Sequence, residues 1–233
     1  MNISVLLSVL LFTCSSATTL KCWVSFGLSC KILSQDLVGV TDVTFDIGEL
    51  EFEDFETVSF IETKLSDVPV GIFSVFTAAK EFVLSENSLK QWKLEYLKGA
   101  DKLNYLHINE NSIENLVSNS FSEAPNLEMI EIINSKLAKI APNTFSGLNN
   151  LNELRLQENK IGPDLRSDTF SEIVQSLKKL NIADNEIEKI PQNLFKQLVN
   201  LEELTIYFNE QIKEVDGEIF PESLKKIVGR KLN

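Results

Sequence analysis

One short apolar pattern returns along most of this chain at intervals close to 24 residues. Three of its copies, beginning at Leu103, Leu151 and Leu177, read LNYLHINENSI, LNELRLQENKI and LKKLNIADNEI. A unit of this length cannot bury its apolar residues alone, so successive units have to stack on one another. The repeat therefore predicts a solenoid rather than a domain with a single central core. Its units begin at Phe55, Ala79, Leu103, Leu127, Leu151, Leu177, Leu201 and Leu224.

The fourth and sixth positions of every regular unit are apolar. Side chains of an extended strand alternate, so both positions point to the same side, and the stacked strands are predicted to form a parallel sheet on the inner, concave wall. Val43 and Phe45, followed by Leu50, fit the same frame and predict a shortened first unit. The residues of the regular units are Val58, Phe60, Phe82, Leu84, Leu106, Ile108, Ile130, Ile132, Leu154, Leu156, Leu180, Ile182, Leu204 and Ile206.

A small polar residue, most often asparagine, occupies the ninth position of each unit. Its side chain can satisfy backbone groups where the chain turns out of the strand, groups that would otherwise be buried without a partner. We therefore interpret this position as structural and not as part of a binding site. The residues are Thr63, Asn87, Asn111, Ser135, Asn159, Asn185 and Asn209.

The outer half of each unit carries two further apolar columns, which are expected to form core rather than to contact a ligand. Pro142, Pro191 and Pro221 fall in these outer connections, where irregular or 3₁₀-like backbone accepts proline. Two extra residues before Leu177 are assigned to a loop at residues 162–164 that bulges from the convex side. The columns are Val68, Trp92, Leu116, Ile140, Leu165, Ile190 and Val215, and Phe73, Leu97, Phe121, Phe145, Phe170, Phe195 and Phe220.

These features resemble the typical 24-residue repeat of extracellular leucine-rich proteins. The resemblance covers residues 20–233 and implies an α/β solenoid, the leucine-rich repeat horseshoe. In that fold a parallel sheet lines the concave face, and irregular or 3₁₀ segments form the convex face. The repeat domain is placed at residues 40–233, with about seven full repeats and partial first and last units.

Residues 1–17 have the features of a secretory signal peptide. An apolar run without charged residues precedes Ser15, Ser16 and Ala17, the small residues that signal peptidase requires. That run is too short to span a bilayer, and no later stretch has the ~20 apolar residues of a membrane helix. The protein is therefore predicted to be secreted and extracellular, with residues 18–39 as an N-terminal cysteine cap before the repeats.

The predicted extracellular location determines how the cysteines are interpreted. Cys14 falls within the predicted signal, which leaves Cys22 and Cys30 in the mature chain. An even number of cysteines in an oxidising environment predicts a disulfide between them. A metal site is the alternative, but two thiols and one distant histidine fall short of the four ligands that zinc takes. Neither a metal nor another cofactor is expected.

Acidic residues outnumber basic ones by 34 to 22, which gives a formal net charge of −12 at pH 7. This balance argues against nucleic acid as a partner and against docking on anionic lipid, since both are negatively charged. The acidity is also compatible with a simpler role, which is to keep a secreted protein soluble and monomeric.

The sequence gives little support for enzyme chemistry, although counting carboxylates leaves a paired-acid hydrolase open. His107 is the only histidine, no cysteine is left over as a nucleophile, and no glycine-rich phosphate loop is present. Carboxylates are numerous, but they are scattered over many repeats, and solenoids rarely provide a closed, dry pocket for such chemistry. We therefore predict a protein without catalytic residues.

Positions three, five and seven of each unit point outward and are predicted to line the concave sheet. Aromatic and methionine side chains among polar groups are typical of an interface core with a polar rim. His107 beside Glu131 is able to sense mildly acidic pH, although an ordinary solvated histidine is the simpler alternative. Glutamates outnumber cations on this face, which favours a basic or mixed-charge protein partner. The candidate binding residues are Tyr105, His107, Met129, Glu131, Ile133, Arg155 and Tyr207.

The cysteine cap joined to these repeats resembles the ectodomain of Toll receptors and the secreted leucine-rich immune proteins of mosquitoes. Members of the mosquito family commonly carry a further cysteine cluster and a coiled coil, both of which this chain lacks. The resemblance implies a recognition or scaffold module of innate immunity that binds a protein, for example another leucine-rich repeat protein or an immune effector. An extracellular adhesion or developmental protein is the alternative, and a secreted glandular inhibitor is a third.

The last unit begins at Leu224 and is incomplete. A solenoid that ends inside a repeat exposes apolar residues and an unpaired strand edge. We therefore expect the uncapped C-terminal end to be covered by a partner or by oligomerisation, unless the chain itself is incomplete.

Overall fold

The computed structural model describes residues 18–25, 29–33, 43–46, 51–212 and 219–229. Within these ranges the chain is a β-solenoid in which successive turns add one strand each to a parallel sheet, with little helix. The predicted fold class is therefore confirmed. Predictions that concern residues 1–17, Leu50, Val215 and residues 230–233 fall outside the described residues.

The described residues form fourteen short strands. They are β1 (Thr18–Lys21), β2 (Trp23–Ser25), β3 (Ser29–Leu33), β4 (Val43–Asp46), β5 (Thr57–Ile61), β6 (Glu81–Val83), β7 (Tyr105–His107), β8 (Asn115–Leu116), β9 (Met129–Glu131), β10 (Lys139–Ile140), β11 (Glu153–Arg155), β12 (Lys179–Asn181), β13 (Glu203–Thr205) and β14 (Lys226–Val228). One short α-helix, α1 (Ile72–Val75), lies between β5 and β6. 3₁₀ helices occupy Phe52–Asp54, Leu94–Leu97, Gly162–Asp164 and Ser171–Ile173.

Ten of these strands form the concave sheet, in the order β14-β13-β12-β11-β9-β7-β6-β5-β3-β2. Neighbouring strands are parallel except β2 and β3, which form an antiparallel hairpin. Equivalent positions of successive units are in register, so that Tyr105 lies beside Met129 and Met129 beside Glu153. The sheet therefore arranges the outward side chains in columns that run along the solenoid.

The core lies between this sheet and the convex segments. All the inward residues predicted at positions four and six are buried, at 3% exposure or less. The outer columns are core as well: the rings of Phe121 and Phe145 stack with centroids 6.0 Å apart, and buried Trp92 donates its indole N–H to the carbonyl of Ser120 at 3.0 Å. Stacking of equivalent residues buries each apolar side chain against the next unit, which a single repeat cannot do.

The ninth-position side chains pair with the backbone of adjacent units as predicted, except that the hydroxyl of Thr63 donates to Oδ1 of Asn87. Oδ1 of Asn159 accepts the backbone N–H groups of Ser135 and Leu137 at 3.0 and 2.9 Å. Its Nδ2 donates to the carbonyls of Ile132 and Leu156 at 2.6 and 3.0 Å. Each asparagine of this type satisfies buried groups on two turns and thereby stabilises the stack.

The convex segment at residues 162–164 is a 3₁₀ helix and not the bulging loop that the extra residues suggested. Gly162 donates its backbone N–H to the carbonyl of Asn185 at 2.9 Å. A Cβ atom at this position would overlap the carbonyl oxygen of Glu186. The absence of a side chain lets two turns of backbone approach closely, which keeps the segment packed against the next repeat.

The N-terminal cap corrects one prediction. Val43 and Phe45 lie in β4, which pairs with β1 in a separate two-stranded sheet. The strand that precedes β5 in the concave sheet is β3, in which Cys30 is in register with Val58 and Ile32 with Phe60. β3 also forms a hairpin with β2, and the predicted disulfide joins Cys22, just before β2, to Cys30 in β3. The first turn is therefore longer than the regular repeat, not shorter.

Candidate binding surface on the concave sheet

The outward positions of the sheet carry a polar network in the middle and aromatic residues at several points. The column of residues at the fifth position of the repeats extends into the N-terminal β2–β3 hairpin, because Trp23 is in register with Lys31 and Lys31 with Ser59. Trp23 is 60% exposed. Sequence reasoning missed this residue because it lies in the cysteine cap, although the alternating pattern of residues 29–33 was a usable signal.

Glu131 is the centre of the network. Its side chain is buried at 8% exposure, and Nδ1 of His107 lies 3.2 Å from its Oε1. Nη1 of Arg155 donates to its Oε2 at 2.8 Å, and Asn109 donates to Oε1. The turns on both sides thus supply partners to one carboxylate, His107 and Asn109 from one turn and Arg155 from the other, which is the arrangement that a buried charge requires.

The network continues toward the C-terminal strands. Arg155 also donates from Nε to Oε1 of Glu153 at 2.6 Å, and Nζ of Lys179 lies 3.7 Å from Oε2 of the same carboxylate. On the next pair of strands, Nζ of Lys226 lies 3.6 Å from Glu203. The acidic excess predicted for this face is therefore largely matched by cations within the face.

His107 is not the freely solvated residue of the simpler sequence interpretation, because its side chain is 18% exposed and lies between two carboxylates. Nε2 is 3.2 Å from Oε1 of Glu81, but this buried nitrogen makes no hydrogen bond to the described part of the chain. Glu81 also accepts a hydrogen bond of 2.9 Å from the hydroxyl of Thr57.

These contacts shift the pKa values of two groups, Glu131 and Arg155. The hydrogen bond from His107, assisted by those from Asn109 and Arg155, lowers the pKa of Glu131 from 4.5 to about 2, although burial opposes the shift. Burial likewise opposes charge on Arg155, but its bonds to Glu153 and Glu131 raise the pKa of the guanidinium. Both groups remain charged across the physiological range and hold the network together.

The structure brings most of the predicted site residues together. Tyr105 is 41% exposed and lies directly beside half-buried Met129. Ile133 is also half-buried, and its backbone N–H donates to Oδ1 of Asn109 at 2.9 Å. Tyr207 stands apart, because four strand steps of ~4.8 Å separate β13 from β7, or about 19 Å. The candidate site therefore comprises a central cluster around Tyr105 and a separate position at Tyr207.

A shallow polar cleft of about 260 Å³ follows the central cluster on β11, β12 and β13. Its lining includes Arg155, Gln157, Lys179 and Thr205. Among the described residues, no group of three or more histidine, cysteine, aspartate or glutamate side chains is arranged to hold a metal ion. The same residues contain no helix with the length and apolar character needed to cross a membrane.

The solenoid has the leucine-rich repeat fold. Residues 101–161 match the family model described as leucine rich repeat, and residues 175–221 match the one described as leucine rich repeats in two copies. No curated protein matches the chain.

Solved structures share the fold at low sequence identity. The receptor chain of the TLR13–ssRNA13 complex is 21% identical, with a TM-score of 0.70 over 83% of this chain and 28% of the receptor. A chain of the Drosophila Toll–Spatzle complex is 16% identical, with a TM-score of 0.66 over 86% of this chain and 29% of that chain. The leucine-rich repeat domain of the type III effector XopL is 18% identical, with a TM-score of 0.61 over 88% and 77%. The protein thus spans less than a third of the two receptor-complex chains.

Proposed function

We propose that this protein is a secreted recognition or scaffold module that binds another protein through its concave face. The observation that carries the proposal is the exposed ring of Tyr105 beside a network in which Glu131 is held by three neighbouring side chains. Aromatic anchors on a rigid, polar surface supply contact area with little loss of conformational freedom on binding. Met129 extends this anchor on the next strand.

A protein is favoured over a nucleic acid as the partner. One similar structure contains single-stranded RNA, as its name states. In this chain, however, Arg155 and Lys179 are engaged by carboxylates of the same face, so neither is available to neutralise phosphates. The net charge of −12 also disfavours binding to a negatively charged nucleic acid.

We also propose that the protein is secreted and has a role in immunity. The N-terminal apolar segment and the disulfide between Cys22 and Cys30 support an extracellular location. The similarity to a Toll complex that is described as a hub of development and innate immunity supports recognition in one of these two settings. Immune recognition is our proposal, and an adhesion or developmental role is the second candidate, which the same similarity favours.

Capture of partners from native extracellular fluid tests the concave face. Wild-type protein, a Y105S/M129S double variant and a V117S/V199S control are immobilised in parallel, since Val117 and Val199 are exposed outside the concave strands. A partner that uses the proposed site is retained by wild type and control but is reduced about tenfold on the double variant. Equal retention on all three surfaces would remove the Tyr105 cluster from consideration.

A further inference from the structure

The residue that follows the outward seventh position has the left-handed conformation in each of the seven regular units of the described chain. Its φ lies between 49° and 60°, so the backbone gives this side chain a similar direction from unit to unit. All seven side chains are exposed. Six of them are polar, and we call these the rim row: Glu62, Glu86, Glu110, Asn134, Glu158 and Asp184.

Phe208 occupies the seventh of these positions, with a φ of 56°. The left-handed conformation is strained for a bulky side chain, and Phe208 carries this strain as the glutamates of the rim row do. Burial does not compensate, since Phe208 is 69% exposed. Its ring packs edge-on against Tyr207, which is 38% exposed, with centroids 4.8 Å apart. An exposed aromatic pair of this kind is typical of a contact surface and not of a core.

The charge beside this aromatic pair is acidic. The five carboxylates of the rim row have no ion pair or side-chain hydrogen bond within the described residues, unlike the carboxylates at the centre of the concave sheet. Strands ~4.8 Å apart spread the row over about 24 Å. Asp184 occupies the equivalent position in the unit before Phe208, and exposed Glu210 lies two residues after it. A partner that covers this surface therefore has to supply positive charge as well as an apolar side chain.

We propose that Tyr207, Phe208 and the rim row form a docking surface for a basic protein segment. An apolar side chain of the partner packs on the two rings, and its lysine or arginine residues lie along the carboxylates. The inference rests on the proposed protein-binding function and specifies the chemistry of the partner. It uses the edge of the concave face rather than the cluster around Tyr105, so the two surfaces can be tested separately.

Selection from a displayed library of random peptides of about twelve residues provides the probe. The full mature protein is the target, and the selected peptides are synthesised with a fluorescent label and measured by anisotropy. We expect enrichment of lysine and arginine together with one large apolar residue, and binding that weakens as ionic strength rises. Selection of neutral or acidic peptides, or of none, would overturn the inference.

Two variants locate the binding. F208N removes the ring but keeps a residue that accepts the left-handed backbone, as Asn134 does in its own unit. Its control is V117S, which alters an exposed apolar residue outside the concave strands. The triple variant E86Q/E110Q/E158Q removes three of the five negative charges of the rim row, and E114Q/E123Q/E188Q removes the same charge from exposed positions elsewhere.

Affinity for the selected peptide is expected to fall about tenfold in F208N and in the rim triple variant, and less than about threefold in both controls. Equal loss in rim and control triples would show a general effect of net charge and would overturn the inference. If affinity for the peptide falls in Y105S/M129S but not in F208N, the peptide binds the cluster around Tyr105, and the docking surface at Phe208 is refuted. Dissociation of a wild-type dimer by F208N in sedimentation would assign the surface to a second copy instead, which also refutes a basic partner.

Discussion

Nδ1 of His107 and Oε1 of Glu131 lie 3.2 Å apart on adjacent strands of the concave sheet. This contact joins two repeats through their outward side chains, whereas the core joins them through leucine and isoleucine. The carboxylate it orients is also held by Arg155 from the next strand. The concave surface is therefore pre-organised before any partner binds, and its charges contribute to the stability of the solenoid.

The depressed pKa of Glu131 predicts acid sensitivity. Because the pKa falls from 4.5 to about 2 on folding, the stabilisation is complete above pH 4.5 and is lost as pH falls through about 2. E131Q should lower the free energy of unfolding at neutral pH by about 3 kcal/mol and flatten its dependence on pH in this window. Urea unfolding at a series of pH values measures both effects. E114Q, at an exposed position, should retain the wild-type slope.

Loss of a ninth-position amide predicts a large local defect. N159A leaves the backbone N–H groups of Ser135 and Leu137 buried without an acceptor. The cost is expected to be about 2–4 kcal/mol in chemical denaturation. Asn149 is exposed, so N149A should change stability by less than about 0.5 kcal/mol. A similar small effect of N159A would contradict the structural role of this position.

Two glycines should resist substitution for different reasons. G162A forces a methyl group against the carbonyl of Glu186 and should destabilise the fold by about 2–3 kcal/mol through displacement of two backbone segments. Gly147 has open space around it but a φ of +87°, so G147A should cost about 1 kcal/mol from backbone strain alone. Thermal unfolding of both variants distinguishes steric overlap from strain. Equal costs would show that the close approach at Gly162 is absent.

The cap disulfide should stabilise the N-terminal end of the sheet. Substitution of both Cys22 and Cys30 by serine is expected to cost about 2–3 kcal/mol, because the bond closes a short loop in the unfolded chain. Hydrogen exchange should show faster opening of β3 and β5, while β11 and β12 remain protected. Wild-type protein with reductant should reproduce the variant.

Processing of the N-terminus can be checked directly. Expression of the full chain in a eukaryotic secretory host should release protein into the medium, and cleavage after Ala17 should give a mature chain that begins at Thr18. Mass spectrometry of the intact secreted product measures this site. Retention in the cytosol with residues 1–17 attached would contradict the predicted secretion.

The sequence alone predicted the direction of most strand side chains, but not where the sheet begins. The period and the alternation within it predicted that Leu154 and Leu156 point inward and Arg155 outward, because these properties depend on local backbone geometry. The structural role of Asn159 followed from the chemistry of an amide near a turn. The start of the sheet was placed wrongly, since the choice between β3 and β4 depends on how the disulfide hairpin packs against β5.

The pairing of charges required the folded molecule. Glu131 and Arg155 are 24 residues apart, and sequence places them on neighbouring strands without showing that one binds the other. Sequence likewise grouped Tyr105 with Tyr207, which the stacking separates, and it did not reveal that Phe208 remains exposed in a strained conformation. Periodicity specifies which side of a strand each residue faces, whereas contacts across strands depend on the rotamers and competing partners that exist only after the repeats have stacked.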